Sequence, residues 1–294
     1  MRNLQIWQIY YREDQLPALD PAFTPFNNTG VASPMLEFDV FQRLWRSALT
    51  TPSANWAAVS WKFGKKTGLS AQELYGLLDE LGQVDLVYMN PFPKDEGLFE
   101  SSWVQGEVSH PGLLSLARPI LGLIQSNLYA IEELQLSSSY STCNYLFGNA
   151  RFWSSYIPFV EGVIKAAEEA LVTEQRALMW SSDADWRGVH NGASFAPFIV
   201  ERLLPIFLRS EGKGLKARQL KLPKPEAQLS RALVELREMK DMAILTGSGR
   251  VFERWKQARR DYALARFSPA WCTRFLPMLD ASRFEVGEPS NANQ

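Results

Sequence analysis

The sequence predicts an α/β protein, a sheet flanked by helices with a helical C-terminal extension, and three observations predict it. Short apolar runs alternate with helical rhythms through the first ninety residues, the pattern of strands joined by crossover helices. Ser70-Ala71-Gln72-Glu73 forms a capping box, which fixes the start of one of those helices. From Pro225 to about Phe267 the periodicity is helical throughout, broken once at Thr246-Gly247-Ser248-Gly249.

Each element follows from its residues. Leu4 to Tyr11 is β-branched and aromatic and reads as the first, central strand. Residues 16–34 carry four prolines and an Asn-Asn-Thr-Gly turn signal, so an ordered irregular loop is expected. Residues 35–48 repeat apolar positions at helical spacing. Asn55 to Phe63 reads as a second strand closed by the basic turn Gly64-Lys65-Lys66-Thr67-Gly68, and the capped helix then runs to Leu81 with Gly82 as its stop. Val84 to Met89 is a third strand ending in Asn90-Pro91. This order implies a largely parallel sheet.

Helices follow over 99–108 and 112–129, around the break His110-Pro111-Gly112. Cys143 to Phe147 is a short strand, Gly148-Asn149 a turn, and a helix opens at Arg151 and reaches about Leu171. Residues 173–194 are polar and irregular, and 194–208 are helical. After Ser210 the composition shifts to mixed charge around Lys-Pro-Lys-Pro, a linker or a basic surface strand. The expected organisation is one α/β domain over 1–210, a helical extension over 211–286 and a disordered tail over 287–294. No internal repeat is present.

Composition narrows the function. The chain has 294 residues, with 31 Lys and Arg against 32 Asp and Glu, so it lacks the basic balance of a general nucleic-acid binder. Cys143 and Cys272 match no metal or disulfide-framework spacing and read as reduced thiols. There is no signal-like N-terminal stretch and no apolar run of 18 residues or more. The expectation is a cytoplasmic protein, at most peripheral at the inner face of the membrane. Arg254, Lys256, Arg259 and Arg260 could rest on an anionic surface there or form a solvated helix face. Ten Trp are compatible with sugar stacking and equally with an aromatic core.

Two stretches concentrate the chemistry: STCNYLFGNARFWSSY at 141–156 and PFIVERL at 197–203. Glu201 stands among Phe198, Ile199, Val200, Leu203 and Leu204, and an acid so embedded must be paired or functional. Arg202 or Arg151 is the candidate pairing partner. No nucleophile elbow, phosphate-binding loop, dinucleotide fingerprint or zinc pattern occurs.

On IWQIYY (6–11), LDPAFTPFNNTG (19–30), SWKFGKKTGLS (60–70), VYMNPFP (87–93), NYLFGNARFW (144–153) and PFIVERL (197–203), the chain resembles a family of bacterial proteins found among capsule and lipopolysaccharide biosynthesis glycosyltransferases. The order of elements is also similar to that of GT-A glycosyltransferases. The resemblance covers about the first 210 residues and implies a GT-A-like, Rossmann-like mixed sheet. It also implies transfer of a sugar from a nucleotide-sugar donor to a polysaccharide or lipid-linked glycan acceptor. The alternative is a non-catalytic carbohydrate-binding or scaffold protein of the same machinery.

That reading assigns roles. Glu201 is the candidate base for the acceptor hydroxyl and Glu107 the second choice. Lys62 and Lys66 could meet the donor diphosphate or form a solvated basic turn. Gln8 and Tyr10, on one face of the first strand, could meet base or ribose or simply pack. GT-A enzymes commonly carry Asp-x-Asp after a strand to hold the donor's metal, and here the strand end carries Asn90, which either replaces that group or caps a turn. Asn149, Arg151 and Trp153 could hold acceptor sugar, or pack. Asp183 and Asp185, an Asp-x-Asp without a preceding strand, are the candidate ligands for Mg²⁺ or Mn²⁺. His110 and His190 are lone histidines.

Overall fold

A computed structural model describes residues 4–47, 55–124, 131, 133–181 and 193–284. Asp183, Asp185, His190 and the 287–294 tail lie outside the described residues. Two compact units divide the chain, and each is assembled from two segments: 1–91 with 141–227, and 92–140 with 228–294. This corrects the expected division at residue 210. The stretch 92–140 leaves the first unit and shares a core with the C-terminal helices.

The first unit holds a six-stranded mixed sheet with helices packed against it. Its strands are β1 (Leu4–Tyr10), β2 (Thr24–Asn27), β3 (Asn55–Ser60), β4 (Leu86–Met89), β5 (Leu146–Gly148) and β6 (Ala217–Leu220), in the order β2-β1-β3-β5-β4-β6. The expected α/β class is what the structure has. β1 pairs in parallel with β2 and β3, and β4 in parallel with β6. β5 is antiparallel to both β3 and β4.

The reversal has a topological cause. The chain leaves the sheet after β4 at Asn90 and returns at Ser141, and the Thr142 hydroxyl donates to Asn90 Oδ1 at 3.1 Å, tying exit and return at one edge. A strand that starts from that edge must run back against its neighbours. One strand was not foreseen in the loop readings, and another settles a choice that they left open. β2 forms inside the proline-rich loop, where Pro25 is tolerated because the strand is at the edge of the sheet. β6 resolves the choice after Ser210 in favour of a strand.

Aromatic packing fixes the sheet to its helices. Trp153, on the helix Ala150–Ala170, stacks on Trp56 of β3 with ring centroids 3.9 Å apart and planes 10° apart. Its indole N–H donates to the Trp56 and Gly148 carbonyls at 3.2 and 3.1 Å. Gly148 is required here, because a Cβ would press into the Phe152 ring. Phe41, from the helix Glu37–Arg46, meets both tryptophans edge-on.

The second unit is helical, with Pro93–Leu98, Ser102–Ser109, Leu113–Leu123, Arg231–Thr246, Gly249–Arg266 and Pro269–Asp280. Its core contains charge. Glu100 pairs with Arg259, both 1% exposed, Glu96 pairs with Arg237, and the fully buried Lys240 donates to the Phe99 carbonyl at 3.0 Å. Of the four basic residues expected on one exposed face, Arg259 is instead in the core, Lys256 donates to the Ser282 carbonyl, and Arg260 pairs with Asp280. Among the described residues no helix is long and apolar enough to cross a membrane.

Candidate functional site

Parallel strands end together, and in open α/β sheets the edge at their carboxyl ends is where ligands bind. In the first unit this edge is formed by the ends of β1, β3 and β4 and by the start of the reversed β5, whose preceding residue Tyr145 accepts from the Met89 N–H at 3.2 Å. Four segments deliver polar groups to it. β3 continues into Trp61, Lys62 and the short helix Phe63–Thr67, which carries Lys66. The returning chain supplies Thr142, Cys143 and Tyr145. The helix Glu37–Arg46 supplies Glu37 at its first position, and Glu201 stands in the turn after the helix Ala196–Val200.

These groups sense one another. The Tyr145 hydroxyl lies 3.3 Å from the Ser60 hydroxyl, and the Lys66 ammonium sits over the Tyr145 ring at 5.8 Å from its centroid. Glu201 keeps 18% of its side-chain surface exposed, and its nearest cation is Arg202 at 3.8 Å. Arg202 is itself buried and donates to the Phe198 carbonyl at 2.7 Å. Burial pushes the Glu201 carboxyl up to about 7 and the charge of Glu37 pushes the same way, while Arg202 and Lys66 oppose them.

Lys66 is held above the ordinary lysine range by Cys143, Tyr145, Glu201 and Glu37. Burial pushes the Cys143 thiol up to about 12 and raises Tyr145 as well. Both are therefore un-ionised near pH 7, and the carboxylates of Glu201 and Glu37 are the charges that favour the cation there. Two phenols complete the surroundings. Tyr156 is raised by burial and then by Glu201, Tyr11 by burial and then by Glu37, and both hydroxyls are buried with no hydrogen-bond partner among the described residues.

The expected site residues divide by edge and by unit. Glu201, Lys66 and Asn90 come to the carboxyl-end edge, with Lys62 beside them over the Trp61 ring at 5.1 Å. Asn90 is buried and its amide oxygen is engaged by Thr142. Gln8 is 1% exposed and engaged at both ends of its amide: its oxygen accepts from the Asp20 N–H at 2.7 Å and its NH2 donates to the Ser60 carbonyl at 3.5 Å. It pins the β1–β2 connection to the sheet, which corrects the base-or-ribose alternative. Tyr10 is likewise buried at the end of β1.

Asn149, Arg151 and Trp153 stand elsewhere. Because β5 is reversed, the turn after it lies at the opposite edge, where Gly148 pairs with Leu86 at the start of β4. There Asn149 caps the helix by accepting from the Phe152 N–H at 3.0 Å, and it donates to Asp85 at 2.8 Å. Asp85 also accepts from Arg151 at 3.3 Å and from the Lys216 N–H at 2.8 Å, so the group is a strut between β4, β6 and the helix. Trp153 is fully buried and offers no face to a sugar.

Glu107 belongs to the second unit. Its two oxygens accept from the Gly112 and Leu114 N–H groups at 2.9 Å and cap the helix Leu113–Leu123, which accounts for its presence without catalysis.

Asp183 and Asp185, the expected metal ligands, lie outside the described residues. Among the described residues no three of His, Cys, Asp and Glu are grouped to hold one, and the strand end that the resemblance associates with a metal presents the engaged amide of Asn90. A surface groove is lined by Met35, Phe38, Gln42, Arg46, Glu161 and Lys165, and its Glu161 is occupied by Gln42 and Arg46.

Sequence reasoning missed Glu37, Tyr11 and Cys143. Glu37 could have been read as an acid at a helix start, but nothing local links it to a residue 164 positions later.

No family model matches the chain, and no curated protein matches it. Among solved structures it is similar to the apo structure of WbbM, a bifunctional glycosyltransferase, with a TM-score of 0.46 and 8% identity over 75% of this chain and 45% of that one. The chain thus spans less than half the length of that relative.

Proposed function

We propose that this protein is a glycosyltransferase that moves a sugar from a nucleotide-sugar donor to a polysaccharide or lipid-linked glycan acceptor in bacterial surface polysaccharide synthesis. The observation that carries the reading is that Glu201 and Lys66 both come to the carboxyl-end edge of the sheet and act on one another's charge: a mostly buried carboxylate raised to about 7, and a lysine held in its charged form. The resemblance noted in the sequence supplies the substrate class.

The chemistry follows from those two groups. Glu201, about half ionised at pH 7, accepts the proton of an acceptor hydroxyl, and a base poised at the working pH is the most effective one. The hydroxyl oxygen forms a bond to the anomeric carbon as the bond from that carbon to the diphosphate oxygen breaks. The leaving diphosphate keeps the electron pair, and Lys66 and Lys62 offset its charge. No step is routed through a metal.

The test is a thermal-shift panel of nucleotides and nucleotide sugars on the purified chain, each with and without Mg²⁺ and Mn²⁺. A ligand that binds the folded state alone raises the melting temperature by mass action. One nucleotide class should shift the wild type, and Lys66→Met should lose most of that shift. Silence across the whole panel would defeat the proposal in favour of a carbohydrate-binding scaffold.

A further inference from the structure

Glu37 reaches the site by a constrained route. Among the described residues Leu36 is the one non-glycine with positive φ, at φ 50° and ψ −118°, and it immediately precedes Glu37. Such a conformation costs on the order of 1–3 kcal/mol and persists only where the surroundings over-determine it. They do so here. The Pro34 carbonyl accepts from the buried Ser194 hydroxyl at 3.2 Å, which ties this turn to the segment leading to Glu201. The Met35 N–H donates to Asp39 at 2.8 Å, closing the turn from the other side. The helices Glu37–Arg46 and Ala196–Val200 pack together, so the two carboxylates arrive from adjoining elements.

The Glu37 carboxylate is half-buried and has no hydrogen bond or ion pair among the described residues. Structural carboxylates in this protein behave otherwise: Asp85 and Glu107 each accept two or more hydrogen bonds. It stands at the start of a helix packed against the one that leads to Glu201, and its charge acts on Tyr11, Lys66, Cys143, Tyr145 and Glu201.

We propose that Glu37 is the second carboxylate of this site, a positioning residue that shares Lys66 with Glu201 and readies Glu201 to take the proton of the acceptor hydroxyl. The role rests on the transferase reading of the site. Arg202 and Lys66 both draw Glu201 toward ionisation and a weaker base; burial opposes them first, and a second carboxylate nearby adds to that opposition. The other groups that sense Glu201 are Arg202 in its own turn, Cys143 from the returning chain, and Tyr156 from the helix Ala150–Ala170. Asp39 and Arg43, on the helix that carries Glu37, act on Tyr11. Among the described residues that act on Glu201, Arg202 and Lys66 are the cations and Glu37 the opposing anion.

The test is a carboxyl ¹³C NMR titration of the full chain labelled at glutamate. The wild type should show one glutamate titrating near pH 7, absent from Glu201→Gln. In Glu37→Gln its midpoint should fall measurably below that of the wild type. Glu37→Asp, which keeps the charge, should restore most of the difference. A midpoint unmoved in Glu37→Gln, or moved equally by Glu37→Asp, overturns the role. The titration needs no substrate, so its failure removes Glu37 alone, whereas failure of every nucleotide sugar to bind removes the transferase reading and leaves the titration standing.

Discussion

Replacing Glu201 by Gln should make the protein more stable at alkaline pH, by an amount the site itself sets. The native carboxyl is displaced from 4.5 to about 7, first by burial. At about 1.36 kcal/mol per unit of pKa, ionising it in the folded state costs about 3 kcal/mol relative to ionising it in the unfolded chain. The sign follows from proton counts. Between pH 4.5 and 7 the folded state binds the proton that the unfolded state has released, so stability falls as pH rises through this window and the full cost stands above it. Gln carries no such charge. The stability of Glu201→Gln minus that of the wild type should therefore grow by about 3 kcal/mol from pH 4.5 to pH 8.5, whatever the constant offset from the substitution itself. Urea denaturation of both proteins across that range measures it. A pH-independent difference would mean that Glu201 is solvated in the native state, and would remove the physical basis for its role as base.

Two further outcomes follow from the second unit. A Cβ at Gly97 would stand 2.7 Å from the Arg237 backbone nitrogen and 3.0 Å from the Leu233 carbonyl oxygen, so Gly97→Ala must push the helices Pro93–Leu98 and Arg231–Thr246 apart; a loss of about 1–3 kcal/mol in denaturant titration is expected, and unchanged stability would show that the helices do not touch there. Lys240 is lowered to about 8 by burial, so its folded state binds fewer protons than the unfolded chain between pH 8 and 10.5 and stability should rise across that window; Lys240→Met should lose a rise of about 3 kcal/mol, and an identical pH profile in the variant would contradict the buried placement.

Local signals in the sequence were read well and long-range ones were not. The capping box at Ser70 and Glu73 is present with both reciprocal hydrogen bonds, because three residues of chain suffice to specify it. The β1 pattern and the long helix after Asn149 were legible for the same reason. The reversal of β5 was not, since strand direction depends on where the chain returns after fifty residues spent in the other unit. That single unseen reversal carried Asn149, Arg151 and Trp153 to the wrong edge of the sheet. β2 was hidden by Pro25, and β6 by charges at Lys216, Arg218 and Lys221 that suit an edge as well as a linker. Glu201 stood out because an acid in an apolar run is a local anomaly. Glu37 did not, because its relation to Glu201 exists only after Ser194 has joined the two segments.

The most direct test of the central claim is release of nucleoside diphosphate from the nucleotide sugar that binds best, with wild type and Glu201→Gln compared over pH 5.5 to 8.5. The wild type should turn over with an ascending limb near pH 7, and Glu201→Gln should bind the donor as well yet be slower by about 10²–10⁴. A Glu201→Gln protein as active as the wild type would contradict the assignment of Glu201 as the base.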